Sequence, residues 1–327
     1  MGKTTMAVQA ATHVWKTLGK KTRVVNADGG GTREGFSGLI EEGIASVWDV
    51  DTWDDRSIFE NIELATKGYW PEDPATPNSR LLEPTRDWRE CPTCLKDSGG
   101  KSLTMPPKCA SCGVAFAAGQ LLPVRRELTN GMQDIGLVVF EGMTSFGERF
   151  LDRLKKIDSG GGNSINDPLG QYKISNSGQA HYLMAQRAIS SAVTNVRQIP
   201  VDMVLWTALE IRADDDGKPL YGPQGPGKKL TSLCIPWFTA VLHLDGVAQR
   251  DPKSGMVVKD KAGMEVLERK LFLAPHFPAD SPTSRFAAKC SVPFGGDMPT
   301  VIDPDMGLFF SELAKAKARA KAKLLGQ

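Results

Sequence analysis

Two short knuckles, "CPTC" at Cys91–Cys94 and "CASC" at Cys109–Cys112, constrain this chain more than any other feature. Each C-x-x-C puts two sulfurs on one tight turn, and fourteen residues separate the pairs. Four thiolates at this spacing suit one tetrahedral Zn²⁺; a redox pair or two chance pairs are the alternatives. A closed Cys₄ set leaves no position for water, so such a zinc would be structural and not catalytic. Gly113, directly after the second pair, suits a knuckle turn. The surrounding residues 68–125 are rich in Pro, Gly and turn formers and too few for a core of their own, so metal would supply folding energy. The segment reads as an inserted zinc ribbon. Cys234 and Cys290 stand in apolar surroundings and read as plain buried thiols.

Outside the ribbon, apolar runs alternate with helical patterns. "TTMAVQAATHVWKTL" carries Met6, Ala10, Val14 and Leu18 on one helical ridge, and Gly19 suits its end. "TRVVNA" and "ASVWDVDTW" read as strands around a short helix near Phe36–Glu42. "DIGLVVFEG" is a continuous apolar run, as in a strand buried on both faces. Helices are expected over "FGERFLDRLKKI" and residues 178–197, then a strand at "VDMVLWTALE". Residues 212–230, with many Gly, Pro and Lys, read as a loop, and two antiparallel strands should flank a turn at "DPKSGM". Alternating strands and helices imply an α/β fold with a mostly parallel sheet. At 41% hydrophobic, 24% charged and net +2, the composition is that of a soluble globular protein with no global call for nucleic acid. No apolar run is long enough to span a bilayer, and no signal peptide opens the chain, so no membrane partner and a cytoplasmic location are expected.

The opening "MGKTTMAVQA" matches the last half of a phosphate-binding loop, whose Lys reaches phosphate and whose Thr binds Mg²⁺. Lys3 and Thr4 stand at the start of a helix, where an anion is favoured. The first glycine and the strand before it do not precede them, so a sheet lacking one central strand is expected. Strand-end polar residues recur downstream: Asp28 after "VVNA", Glu141 in "LVVFEG", and Thr207 with Glu210 in "VLWTALE". In open α/β sheets, ligands bind at that edge.

Taken in order, GKTT-helix, "NADGG", "VVFEGMTS", "VLWTALE", a Gly/Pro/Lys loop and "RFAAKC…MPTVIDPD", the chain resembles the RecA-like P-loop ATPases. It looks most like the small bacteriophage ATP-binding proteins of single-strand annealing and recombination. The likeness covers most of residues 1–60, 130–245 and 283–310. It implies a core of 1–67 and 126–310 around the ribbon at 68–125, with a basic helical tail at 311–327. It further implies that Gly2, Lys3, Thr4 and Thr5 bind ATP, and that Thr4 and Glu141 hold Mg²⁺. Asp28 would be the catalytic carboxylate and Thr207 the sensor. The family often closes its site with a Lys-x-Arg finger from a neighbouring subunit. Here Lys289 is followed by Ser291, so Arg285 or Lys228 with Lys229 would have to substitute.

Function then divides three ways: an ATPase coupling nucleotide state to single-stranded DNA, a catalytically degenerate DNA-binding or assembly module, or a ring-forming, helicase-like motor. A homo-oligomer would suit the trans finger. DNA contact could come from ribbon cations with Trp70 and Trp88, or from the tail, where Lys315, Lys317, Arg319, Lys321 and Lys323 alternate mostly with Ala around a helix. Contact with protein, or a solvated end, explains these features equally well.

Overall fold

The computed structural model describes residues 2–51, 56–100, 106–159, 165–166, 173–174, 178–215, 218–226, 228–276, 285–291 and 297–325. α1 (Lys3–Leu18) leads into β1 (Lys21–Asn26), and α2 (Thr32–Gly35) and α3 (Ser37–Glu41) lead into β2 (Ala45–Asp49). After α4 (Ile58–Thr66) come two small pairings, β3 (Trp70–Pro71) with β4 (Leu81–Leu82) and β5 (Thr85–Arg89) with β6 (Val124–Leu128). The Cys knuckles lie between β5 and β6. The chain then re-enters the core through β7 (Ile135–Glu141) and α5 (Met143–Ser159). The two-residue strands β8 (Ile165–Asn166) and β9 (Lys173–Ile174) precede α6 (Gly178–Val196) and β10 (Met203–Trp206).

These strands form one parallel sheet in the order β10-β7-β1-β2. Its side chains alternate between two covered faces, which is why the strands read as unbroken apolar runs. Val25, Trp48, Val138 and Phe140 meet α4, α5 and α6 through Ile62, Ala65, Phe146, Ile189 and Val193. Val24, Val47, Leu137 and Val139 meet α1 through Ala7, Ala10, Ala11 and Val14. The expected gap at the centre is not there: β1 pairs directly with β7, so a further parallel strand could join only beside β10 or β2.

The segment expected as a loop over 212–230 is instead part of a hairpin, β11 (Glu210–Asp215) with β12 (Lys218–Pro223), followed by α7 (Lys228–Cys234). Tertiary pairing overrode the Gly/Pro signal. Leu220 is buried on the hairpin, and β12 also pairs with β16 (Arg285–Phe286). β13 (Ala240–Val241) pairs with β17 (Lys289–Cys290). The expected antiparallel pair forms between β14 (His243–Ala248) and β15 (Leu267–Phe272), and β18 (Val301–Ile302) adds to it. Leu271 and Ile302 turn this second sheet toward the core layer shared with α1.

α8 (Met306–Leu324) begins five residues before the basic tail, at Asp305, whose carboxylate accepts from the Gly307 and Leu308 amides. Met306, Phe309 and Phe310 join the α1 layer, and the tail keeps a buried edge at Ala316 and Ala320. Its cations face water. Among the described residues, no helix is long and apolar enough to cross a membrane.

Candidate functional site

The chain order reverses at the carboxyl ends of β1 and β7. After β1 it turns to the α1 face through α2 and α3, whereas after β7 it turns to the opposite face through α5. Such a switch point opens a crevice at the strand ends. α1 runs antiparallel to the sheet, so its N-terminus faces the same edge. Gly2 caps it with φ +106, and no side chain caps its first turn. A Cβ at Gly2 would lie 2.8 Å from Leu244 Cδ2 and 2.9 Å from Arg269 Nη1, so only glycine fits there. The free amides of this turn carry the positive end of the helix dipole.

Glu141 ends β7 and is only 2% exposed. Its Oε2 accepts from Thr207 Oγ1 at 2.7 Å. The same hydroxyl accepts from the Gly142 amide at 3.0 Å, which ties the ends of β7 and β10 together. Oε1 is buried with no regular hydrogen bond. Burial raises the Glu141 carboxyl above its ordinary value. The Thr207 bond opposes that rise, the Asp28 charge adds to it, and the nearby Thr4 hydroxyl and Lys3 ammonium oppose it.

Asp28 is exposed at the lip of the crevice and accepts a short hydrogen bond from Ser145 Oγ in the first turn of α5. Side chains are excluded at Gly142 because a Cβ there would collide with the Asp28 carboxylate. Lys3, Thr4, Asp28, Glu141 and Thr207 thus gather at one edge. Thr5 is exposed on α1. A buried carboxylate with an unpaired oxygen, flanked by a hydroxyl, offers the oxygen donors that a hard cation such as Mg²⁺ takes. Lys3 and the free helix amides offer what an anion takes. Neither Ser145 nor Arg269 was legible as part of this site, since nothing local in the sequence marks them.

The four cysteines of the ribbon also converge. Cys91 and Cys112 sulfurs are 3.7 Å apart, and those of Cys94 and Cys109 are 3.8 Å apart. A tetrahedron of sulfurs at about 2.3 Å from a central Zn²⁺ has edges of about 3.8 Å, so the spacing suits that ion. The two knuckles repeat one geometry. The Leu95 amide bonds the Cys91 carbonyl at 2.9 Å, the Gly113 amide bonds the Cys109 carbonyl at 2.8 Å, and both donors have left-handed φ, 56° and 75°. Burial works against a thiolate at Cys91, but the amides of Cys94 and Thr93 outweigh it and bring the thiol down to about 6. The cluster could hold a metal such as zinc. Burial pushes the Cys234 thiol up to about 12, in keeping with an inert core cysteine, and raises that of Cys290, which is only half-buried.

The aromatic and basic residues considered for DNA fare unevenly. Trp70 is buried, edge-on to Trp48 and beneath the Arg23 guanidinium, so it offers no face for a base. Trp88 is half-buried in a shallow groove with Arg86, Leu95 and Lys96. Three cations of the insert are paired: Arg86 with Asp97, Arg125 with Glu90, and Arg126 with Asp87. On α8, Lys315 bonds Glu312 and Arg319 bonds the Asp297 carbonyl, while Lys317, Lys321 and Lys323 are exposed. Lys289 donates to the Phe238 carbonyl at 3.0 Å. The side chains of Lys228, Lys229 and Arg285 lie outside the described residues.

No protein-family model matches the chain, and no curated protein and no solved structure matches it significantly.

Proposed function

We propose that this chain is a RecA-like ATPase that binds ATP with Mg²⁺ at the α1 N-terminus and couples nucleotide state to its hold on single-stranded DNA. One observation carries the nucleotide reading: the buried Glu141 carboxylate, with one oxygen unpaired, stands beside Thr4 and Lys3 where the helix amides are free. Burying a charge half-satisfied is costly and needs a compensating role. Lys3 would bind the terminal phosphates, and Thr4 and Glu141 would hold the ion. When bound, Mg²⁺ would neutralise charge on the transferring phosphoryl group. Asp28, at the lip and steadied by Ser145, would accept a proton from the water that attacks the terminal phosphorus, with ADP as the leaving group. Thr207 holds Glu141 and would report the state of the site to β10. The tail cations Lys317, Lys321 and Lys323 would supply salt-sensitive DNA contact.

A Lys3→Ala variant tests this directly. Titration with a fluorescent ATP analogue should show a loss of affinity of about tenfold to a hundredfold, as expected for a charge-assisted phosphate contact. Unchanged binding and turnover would refute the proposal. A binding-only module is the second reading. It is favoured by Lys289, whose ammonium is engaged with the Phe238 carbonyl instead of standing free for a neighbouring subunit's site. DNA-stimulated phosphate release separates the two, since only the ATPase turns over.

A further inference from the structure

On the second sheet, β14 and the segment after β15 bring together the only other cluster of metal-ligating side chains among the described residues: His243, Asp245 and His276. His243 and Asp245 alternate on one face of β14, and one donor atom from each of the three lies within 4.8 Å of the others. Nδ1 of His243 faces Nε2 of His276 at 3.3 Å. Nε2 of His243 is engaged by the Glu210 carboxylate of the β11 hairpin in a short ion pair. That carboxylate holds the ring proton on Nε2, so Nδ1 presents its lone pair to His276. Nδ1 of His276 is buried without a regular partner, so the neutral ring can carry its proton there. A proton there turns the Nε2 lone pair toward His243. Two lone pairs would then face each other, an arrangement that a cation between them relieves.

We infer that His243, His276 and Asp245 form a second zinc site, with Glu210 as the carboxylate that orients His243. Two imidazole nitrogens at about 2.0–2.1 Å from a tetrahedral Zn²⁺ stand about 3.3–3.4 Å apart, which matches the observed separation. A carboxylate on the far nitrogen of a metal-bound histidine is the usual second partner of such sites. The rings are already fixed. His276 is stacked between Phe272, at 3.5 Å between centroids, and Phe286, at 4.8 Å, while His243 stacks on Phe286 at 4.5 Å. Little order remains to be imposed when the ion binds. Three protein ligands leave a fourth position for water. The ion would cross-link the second sheet to the segment after β15 and, through Glu210, brace the β11–β12 hairpin.

The test is metal content of the full chain, purified after growth with zinc and dialysed against low micromolar Zn²⁺. Elemental analysis should give two zinc ions per chain, falling to one in His243→Gln and in His276→Gln. Cobalt substitution controls for folding. Both variants should keep the thiolate-to-cobalt absorption of the Cys₄ ribbon and lose the weaker, charge-transfer-free bands of the imidazole site. Glu210→Gln should keep the site but weaken it about tenfold to a hundredfold. A single zinc in the parent chain would overturn the inference and leave an imidazole–imidazole hydrogen bond. Two zinc ions in either histidine variant would overturn it as well.

Discussion

Replacing Thr207 by valine keeps the shape of a buried side chain and deletes its hydroxyl. That hydroxyl donates to Glu141 Oε2 at 2.7 Å and accepts from the Gly142 amide at 3.0 Å. A hydrogen bond to a charged group contributes about 1.5–3 kcal/mol, and an orphaned buried amide costs about 1–3 kcal/mol. Thr207→Val should therefore cost about 3–5 kcal/mol at neutral pH, read from urea unfolding by tryptophan fluorescence. Thr207→Ser keeps both bonds and loses one methyl group, so it should cost about 1 kcal/mol. The gap between the two should depend on pH. Burial already raises the Glu141 carboxyl above 4.5 in the folded state, so the native chain holds this proton more tightly than the unfolded one. Stability from this group is full below the unfolded value and is lost as pH rises through the folded value. Valine removes an interaction that favours the ionised form and raises the folded value further. The penalty of Thr207→Val should thus be smallest at low pH and grow toward neutrality. A penalty at neutral pH no larger than that of Thr207→Ser, or one independent of pH, would refute the account of Glu141 as a buried, Thr207-held carboxylate.

Arg269→Gln should weaken binding of the ATP analogue about tenfold, because its guanidinium stands beside Gly2 at the helix start; an unchanged titration would remove Arg269 from the site. Gly136→Ala on β7 would place a Cβ 2.6 Å from Val14 Cγ1 and 2.9 Å from Lys20 Cβ, and should cost about 1–3 kcal/mol in urea unfolding through overpacking. Chelation at neutral pH should speed amide hydrogen exchange across Cys91–Gly113 while the amides of β1 and β7 stay protected, since the ribbon lacks a core of its own. Equal acceleration in the parallel sheet would show that the ribbon is not a separate metal-dependent unit.

The sheet was legible because burial on both faces leaves a simple signature. "VVNA" and "GLVVFE" are buried on both faces, and the residue where each run stops lands at the carboxyl edge of the sheet. Glu141 could be found that way because its place is fixed by its own strand. The hairpin at 210–223 was not legible, because its pairing partner β16 is distant in the chain and its own sequence is full of turn residues. His243 and His276 were not legible as a pair for the same reason. They are 33 positions apart, and no spacing rule joins two residues that only the pairing of β14 with β15 brings together. Trp70 misled in the opposite direction, since composition marks an aromatic residue but not the Trp48 edge and Arg23 cation that cover it. In the tail, alternating Lys and Ala hides a seam: small residues recur every four positions on any helical face, and packing selected Ala316 and Ala320.

The contact between α1 and α8 bears on how the chain reaches this structure. The Met306 amide bonds Gln9 Oε1 at 3.2 Å across 297 positions, and His13 lies against Phe310 with ring centroids 4.8 Å apart. The helix that presents Lys3 and Thr4 therefore has part of its apolar surface covered by one of the last elements in the sequence. Closing so long a loop comes late in folding, because its entropy must be lost before the contact repays it. Until then Ala7, Ala11 and Val14 lack their full cover, and a chain interrupted before Met306 keeps that surface open to aggregation. Arrival of α8 is the event that completes the cover of α1, so the rate at which this end docks sets how soon a newly made molecule has that edge of the crevice in place.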